Sequence, residues 1–140
     1  MTVRVERTFD LPAPPDIVWE FIVDPERRAR PISVVTDFEV TGDRTATWQV
    51  KLPIPVINRT MAVKTEDKVL DRPNRVEFVG RSKAMHVQGT HVLEAIDGGT
   101  RLQNRFVVDG RLPGVERFFE KNLDSELSNL EDAIRAYLEE

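Results

Sequence analysis

The sequence predicts an α+β fold, in which a curved antiparallel sheet of six to seven strands wraps around a long C-terminal helix and two short helices follow the first strand. Two patterns lead to this prediction. Through most of residues 33–109 apolar residues alternate with polar ones, the period of strands with one buried face. From Val115 to Leu138 they recur every three or four residues, the period of an amphipathic helix about 36 Å long. This helix is the element long enough to cover the apolar face of the sheet.

The first 30 residues predict one strand and two short helices. Residues Thr2–Asp10 alternate apolar and charged side chains and predict a strand, which the prolines of residues 11–15 end because proline lacks an amide hydrogen. A short amphipathic helix is predicted over Pro15–Val23, and a second from Glu26 to about Arg30. The first helix is expected to bury Ile17, Val18, Phe21 and Ile22.

Six consecutive antiparallel strands are expected between the short helices and the final one. Turn-forming residues at Thr41–Asp43 and Asp71–Asn74 separate the earlier strands. The last two strands run from about His86 to Ile96 and from Thr100 to Val108, around Asp97-Gly98-Gly99, a strong hairpin signal. The first strand is the seventh candidate for the same sheet.

The composition limits the possible functions. The chain has 140 residues, 40% of them apolar and 31% charged, which is typical of one soluble globular domain spanning residues 1–140. It contains no cysteine, which excludes thiol catalysis, disulfides and zinc–thiolate sites. A net charge of −4 argues against nucleic acid as a partner. The longest stretch free of charged residues, Ala84–Leu93, is far shorter than the roughly 18 residues of a membrane span, and with no signal-peptide pattern a cytoplasmic location is expected.

Two local patches of sequence resemble a known superfamily. Residues 14–21 are Pro-Pro-Asp-Ile-Val-Trp-Glu-Phe, with Asp-Pro-Glu at 24–26, and Gly-Arg-Leu-Pro-Gly at 110–114 leads into the final helix. Together with the order of elements, these patches resemble the START-like or SRPBCC superfamily, whose fold is called the helix-grip. Within it, Trp48–Glu94 is most similar to two groups, the polyketide cyclase/dehydrase-like proteins and the proteins that resemble the G-type accessory component of carbon monoxide dehydrogenase.

The resemblance implies a cavity between the sheet and the long helix that holds a hydrophobic or amphipathic small molecule, such as a lipid, an isoprenoid or a polyketide. In the superfamily this cavity serves binding, transport or, in some members, cyclisation and dehydration. Arg30-Pro31-Ile32 stands where the carbon monoxide dehydrogenase components usually carry a Pro-Gly pair, and the sequence stops at Glu140, where those components often continue into a membrane-attaching extension. We therefore expect no membrane-tethering role and no stable membrane insertion.

His91 and Asn104 are polar residues placed in the predicted interior. If Asp97-Gly98 forms a two-residue turn, His91 lies opposite Asn104, on the same face as the apolar Phe106. An unpaired buried polar group costs roughly 1–3 kcal/mol, so both side chains need partners. Either they orient a ligand's carbonyl or hydroxyl, with His91 as a candidate proton shuttle, or they bond to each other or to a buried water.

The same alternation places apolar side chains and small hydroxyls on the inward face, where they either form core or line a cavity. The final helix is expected to form the roof of that cavity. Met61 would adapt to ligands of varied shape because its side chain is flexible. Besides His91 and Asn104, the candidate ligand-binding residues are Phe38, Trp48, Met61, Phe78, Ser82, Phe106, Phe119, Leu123 and Leu127.

The second short helix carries a charged cluster that either guides an acidic ligand or membrane surface or, as the simpler interpretation, forms a solvated helix face. Its members are Asp24, Glu26, Arg27, Arg28 and Arg30. His86 and His91 fall on opposite faces of one strand and cannot share a metal ion. We predict no metal site and no cofactor.

Three functions are compatible with these features. The first is binding of an apolar small molecule without catalysis, by a monomer or homodimer. The second is a cyclase or dehydratase reaction, with His91 as general acid/base and Asn104 polarising a carbonyl. The third is a protein-partner module on a larger complex. We expect binding rather than catalysis, because a chain with one inward histidine and no cysteine has few groups for demanding chemistry.

Overall fold

In the computed structural model, which describes residues 2–55 and 59–139, the elements follow one another in the predicted order. The predicted domain bounds 1–140 begin and end on residues outside this description. The elements are β1 (Thr2–Leu11), α1 (Pro15–Ile22), α2 (Pro25–Ala29), β2 (Val35–Val40), β3 (Thr45–Val50), β4 (Met61–Asp71), β5 (Arg75–Arg81), β6 (Met85–Ile96), β7 (Gly99–Gly110) and α3 (Val115–Leu138).

The seven strands form one antiparallel sheet in the order β1-β7-β6-β5-β4-β3-β2. The first strand pairs with the last along its whole length, so β1 and β2 form the two edges. The β6–β7 hairpin has the predicted register: Ile96 faces Gly99, and His91 faces Asn104. Gly98 supplies the left-handed backbone conformation of the turn, with φ of 80°. The fold class predicted from the sequence is therefore confirmed.

The long helix α3 packs mainly near the β1 edge of the curved sheet. Its closest backbone neighbours are β1 and β7. Arg7 of β1 donates to the Asp124 carboxylate over 3.2 Å, and Arg135 donates to the backbone oxygen of Asp10 over 3.1 Å. Both contacts hold α3 close to this edge of the sheet. In the part of the chain that is described, no helix is both long and apolar enough to cross a membrane.

The two short helices lie close to their predicted bounds, but α1 turns a different side chain outward. Ile17 is 41% exposed, whereas Trp19 is buried with 3% exposure. Apolar residues occupy most of this eight-residue helix, so periodicity alone cannot select its buried face, and packing against α3, β6 and β7 selects it instead. The predicted burial of Ile17 is therefore wrong, while Val18, Phe21 and Ile22 are buried as expected.

The substitution Gly89→Ala tests the close packing between β5 and β6. Phe78 lies opposite Gly89, and a Cβ atom at Gly89 would come within 2.2 Å of the Phe78 ring. We expect a loss of about 1–3 kcal/mol in the free energy of unfolding, measured by chemical denaturation, because the buried ring must shift. The neighbouring outward residue provides the control: Gln88→Ala is expected to change stability by about 0.5 kcal/mol or less. Equal stabilities of the two variants would contradict this packing argument.

Candidate functional site

A cavity lies between the inner face of the sheet and α3, where its wall includes residues of β7 but none of β1. Its free volume is about 40 Å³, enough for a few water molecules. The wall is almost entirely apolar, and its charged members are Arg28 and Glu126. Strands β3, β6 and β7 supply Trp48, Val50, Met85, Val87, Phe106 and Val108; helix α3 supplies Phe119, Leu123, Leu127 and Leu130; Ile32 and Val34 come from the connection into β2, and Val35 begins that strand.

The predicted binding residues separate into two groups. Those that line the cavity are Trp48, Phe106, Phe119, Leu123 and Leu127. The remaining candidates, His91, Asn104, Phe38, Met61, Phe78 and Ser82, are not part of its wall.

Phe38 and Met61 are both half-buried at the β2 side of the sheet. Phe38 lies on the edge strand β2, where it borders a surface groove together with Ala29. Met61 begins β4 and pairs with Val50, whose side chain does reach the cavity. Both side chains pack against the rim of the core rather than against the cavity.

Ser82 does not lie on the inward face that strand alternation predicts. Strand β5 ends at Arg81, and Ser82 begins the turn to β6. Its hydroxyl accepts hydrogen bonds from the backbone N–H groups of Ala84 and Met85, each over 3.1 Å. The alternation therefore stops one residue before Ser82, and its hydroxyl is satisfied within the turn.

His91 and Asn104 form a buried pair, as their register implies. His91 is fully buried, and its Nδ1 lies 2.8 Å from Oδ1 of Asn104. The Nδ2 of Asn104 donates to the backbone oxygens of Arg7 and Leu102, so its Oδ1 is oriented to accept from His91. This arrangement places the proton of the neutral imidazole on Nδ1. The Nε2 atom is buried and has no protein partner within the described residues.

The surroundings of His91 keep its ring neutral. Burial, and secondarily the positive charge of Arg28, lower the pKa of His91 to about 3, against the opposing effect of the Asn104 hydrogen bond. The ring stacks on Phe78 at 6.2 Å and meets the edge of Phe106 at 5.7 Å between centroids. His91 thus contacts Phe106, a residue of the cavity wall, without reaching the wall itself.

Arg28 is the member of the charged cluster on α2 that does not face solvent. It is 5% exposed, and its Nη2 donates to the carboxylate of Asp67, itself 7% exposed, over 2.7 Å. Its guanidinium also lies over the Phe78 ring, 5.1 Å from the centroid. The interpretation of this helix as a solvated face is therefore wrong for Arg28, because α2 packs beside the sheet and turns this side chain inward.

The position of Asp67 follows from strand alternation. In β4, Val63, Thr65 and Asp67 are buried in turn, which places the Asp67 carboxylate on the inner face. The register shifts directly after Asp67, between its pairing with Phe78 and that of Val69 with Glu77. Such a bulge bends the strand at this point and changes which side chains face inward after it.

Three buried N–H donors of this region have no protein acceptor among residues 2–55 and 59–139. They are Nε and Nη1 of Arg28 and Nε1 of Trp48. Both side chains line the cavity and both pack against Phe78, Trp48 with its ring centroid 5.8 Å away. Because unpaired buried donors are costly, this end of the cavity is suited to an oxygen acceptor from a water or a ligand.

Glu126 is the other charged residue of the cavity wall. This residue of α3 is 7% exposed, and its two carboxylate oxygens accept from the backbone N–H and the hydroxyl of Ser33, each over 2.6 Å. Ser33 lies in the connection between α2 and β2, so the contact joins this connection to the helix. The pair therefore joins two parts of the cavity wall, the residues on either side of Ser33 and helix α3.

Sequence reasoning missed Asp67 and Glu126, although both carried a signal, and it placed Arg28 only within a charged cluster on the second short helix. Glu126 lies three residues after Leu123 and four before Leu130, on the inward face of the final helix. Asp67 lies two residues after Thr65, at an inward strand position. A carboxylate on an apolar face indicates a buried partner. Arg28 had no such signal, because a five-residue helix is too short for periodicity to assign its faces.

The architecture is that of the START-like, helix-grip proteins. A protein described as an aromatase/cyclase from a Streptomyces species superposes with a TM-score of 0.77 at 17% identity, covering 99% of this chain and 94% of that one. A START superfamily protein from Mycobacterium smegmatis superposes with a TM-score of 0.77 at 12% identity, covering 97% of both chains. A conserved protein from Geobacillus kaustophilus gives 0.76 at 15% identity, with 96% and 93% covered. At these identities the likeness establishes the fold.

The family follows from the sequence itself. A family model described as polyketide cyclase / dehydrase and lipid transport matches residues 2–135, and the chain therefore belongs to this family. The resemblance to the START-like superfamily and to its polyketide cyclase-like group is confirmed. Comparison with curated protein sequences gave no match.

The buried ion pair gives a test by paired substitution. Arg28→Met leaves the Asp67 carboxylate buried without its 2.7 Å partner, and we expect a loss of about 3–5 kcal/mol in the free energy of unfolding. The double substitution Arg28→Met with Asp67→Leu removes both charges, and it is expected to recover most of that stability. Chemical denaturation of the three proteins measures the difference. A double variant as unstable as the single one would show that the cost arises from packing instead.

The neutral state of His91 predicts an acid-sensitive contribution to stability. Between pH 6.5 and about 3 the unfolded chain binds a proton at this residue while the folded protein does not, so lowering the pH favours unfolding. We expect this contribution to fall by up to about 1.4 kcal/mol per pH unit in that range. Denaturation curves of the wild type and His91→Gln, which cannot titrate, isolate it from the carboxylates that both proteins share. Parallel pH profiles of the two proteins would contradict the depressed pKa.

Proposed function

We propose that the protein binds an apolar small molecule in the cavity between the sheet and α3, and that it acts as a carrier or binding protein rather than an enzyme. The observation that carries this proposal is the cavity itself. The apolar side chains of β3, β6, β7 and α3 surround free volume at the position where a fully packed core would leave none. The family description, polyketide cyclase / dehydrase and lipid transport, is consistent with such a ligand.

The cavity is smaller than the ligand that it is proposed to hold. Its volume of about 40 Å³ lies well below the roughly 300–1,000 Å³ of small-molecule sites. Entry therefore requires α3 to move away from the connection between α2 and β2. The polar contact between these two walls is the pair of hydrogen bonds from Ser33 to Glu126, which water can replace when the gap opens. The fastening of α3 to β1 by Arg7 and Arg135 leaves this side free to open.

Catalysis through His91 has less support. A general acid or base works best with a pKa near the working pH, and that of His91 is lowered to about 3. Its Nδ1 is engaged by Asn104, and the ring does not line the cavity. We assign the His91–Asn104 pair a structural role, joining β6 to β7 inside the core. The small cavity volume instead favours the alternative of a protein-partner module. A test of small-molecule binding distinguishes that alternative from the proposed function.

Cavity-filling substitutions test the proposal. Val87 on β6 lines the cavity, whereas Val79 on β5 points to the outer face of the sheet. We expect Val87→Phe to reduce binding of an environment-sensitive, uncharged apolar dye, such as Nile red, by at least about tenfold while Val79→Phe leaves it unchanged. Titration of the folded proteins by dye fluorescence measures both affinities.

The native ligand can be sought in parallel. Solvent extraction and native mass spectrometry of the purified protein are expected to yield an apolar compound from the wild type and from Val79→Phe, and less of it from Val87→Phe. Absence of any bound compound, together with equal dye binding by the two variants, would contradict a ligand site in this cavity.

A further inference from the structure

We infer that the ligand is an uncharged molecule bearing an oxygen acceptor, such as a ketone, ester or quinone carbonyl, which Arg28 and Trp48 receive at one end of the cavity. This inference rests on the proposed function and specifies the chemical class that the cavity accepts. Two features lead to it: the free donors at one end of the cavity, and the balance of charge around them.

The first feature is a set of buried, unpaired donors carried by two side chains of the cavity wall. Arg28 is 5% exposed and uses Nη2 for Asp67, which leaves Nε and Nη1 buried without a protein acceptor among the described residues. Trp48 is also 5% exposed, and its indole Nε1 is likewise buried without a protein acceptor among the described residues. Both side chains line the cavity and pack on Phe78, which places them near each other in its wall. An oxygen with two lone pairs can accept from more than one of these donors.

The second feature is that the positive charge of Arg28 is already balanced. Asp67 pairs directly with its guanidinium, and the Glu126 carboxylate lines the same cavity. The cavity and its immediate support therefore hold one positive and two negative side chains. A carboxylate ligand would add a third negative charge away from water, at a high cost of desolvation. A neutral carbonyl gains the hydrogen bonds without that cost.

These two features also set an order of preference among ligands of the same size. A hydrocarbon fills the cavity but leaves the donors unpaired, while a carboxylate pairs them but adds charge. A ketone avoids both costs and is expected to bind best. The preference should depend on the Arg28 guanidinium, since hydrogen bonds to charged groups are the stronger ones.

Acetophenone, ethylbenzene and benzoate form a matched set of probes for this preference. Binding is measured by isothermal titration calorimetry and by the ¹H–¹⁵N NMR signals of the two tryptophan side chains. We expect acetophenone to bind about tenfold more tightly than either ethylbenzene or benzoate, the gain of one to two hydrogen bonds. Acetophenone should shift the Nε1–H signal of Trp48, while that of Trp19, in α1 and outside the cavity wall, serves as the internal control.

The double variant Arg28→Met with Asp67→Leu provides the matched protein. It removes the donors of Arg28 without leaving a buried charge, and it should bind ethylbenzene at least as well as the wild type while losing most of the preference for acetophenone. Equal affinities of the wild type for acetophenone and ethylbenzene would overturn the acceptor inference and leave the proposed function standing. Tighter binding of benzoate would overturn the uncharged class. Failure of all three probes to bind would overturn both the inference and the proposed function.

Discussion

One helix covers the inner face of a seven-stranded sheet, and its position decides where the interior is packed and where it is open. Helix α3 lies close to β1 and β7 and is fastened there by Arg7 and Arg135. Because the sheet curves, Asp67 of β4 pairs with Arg28 of α2 rather than with α3. Arg28 in turn forms part of the cavity wall. The cavity is thus a consequence of covering a broad curved sheet with a single long helix.

The buried polar groups of the interior are arranged in pairs, each joining two elements of the fold. Arg28 and Asp67 join α2 to β4, Ser33 and Glu126 join the next connection to α3, and His91 and Asn104 join β6 to β7. In an apolar interior, such groups persist only when their partners are in place. The donors left unpaired belong to Arg28 and Trp48, two residues of the cavity wall. Their location connects the packing of the fold to the chemistry of the proposed ligand.

The parts of the site that the sequence predicted are those governed by local periodicity. Alternation and the Asp97-Gly98 turn placed His91 opposite Asn104, and helical spacing placed Phe119, Leu123 and Leu127 over the sheet. The errors occur where an element is too short or has just ended. Ile17 belongs to an eight-residue helix, Arg28 to a five-residue one, and Ser82 lies one residue beyond its strand. In these places packing, not pattern, decides which way a side chain points.

The sequence by itself determined the order of the elements, the register of the last hairpin and the apolar identity of the interior, because each depends on residues close together in the chain. Only the tertiary structure decided that Arg28 is buried against Asp67, that Glu126 reaches Ser33, and that His91 stays outside the cavity wall. The first two of these contacts join residues 39 and 93 positions apart. No local periodicity predicts these long-range contacts, because they depend on how α2 and α3 are positioned against the curved sheet.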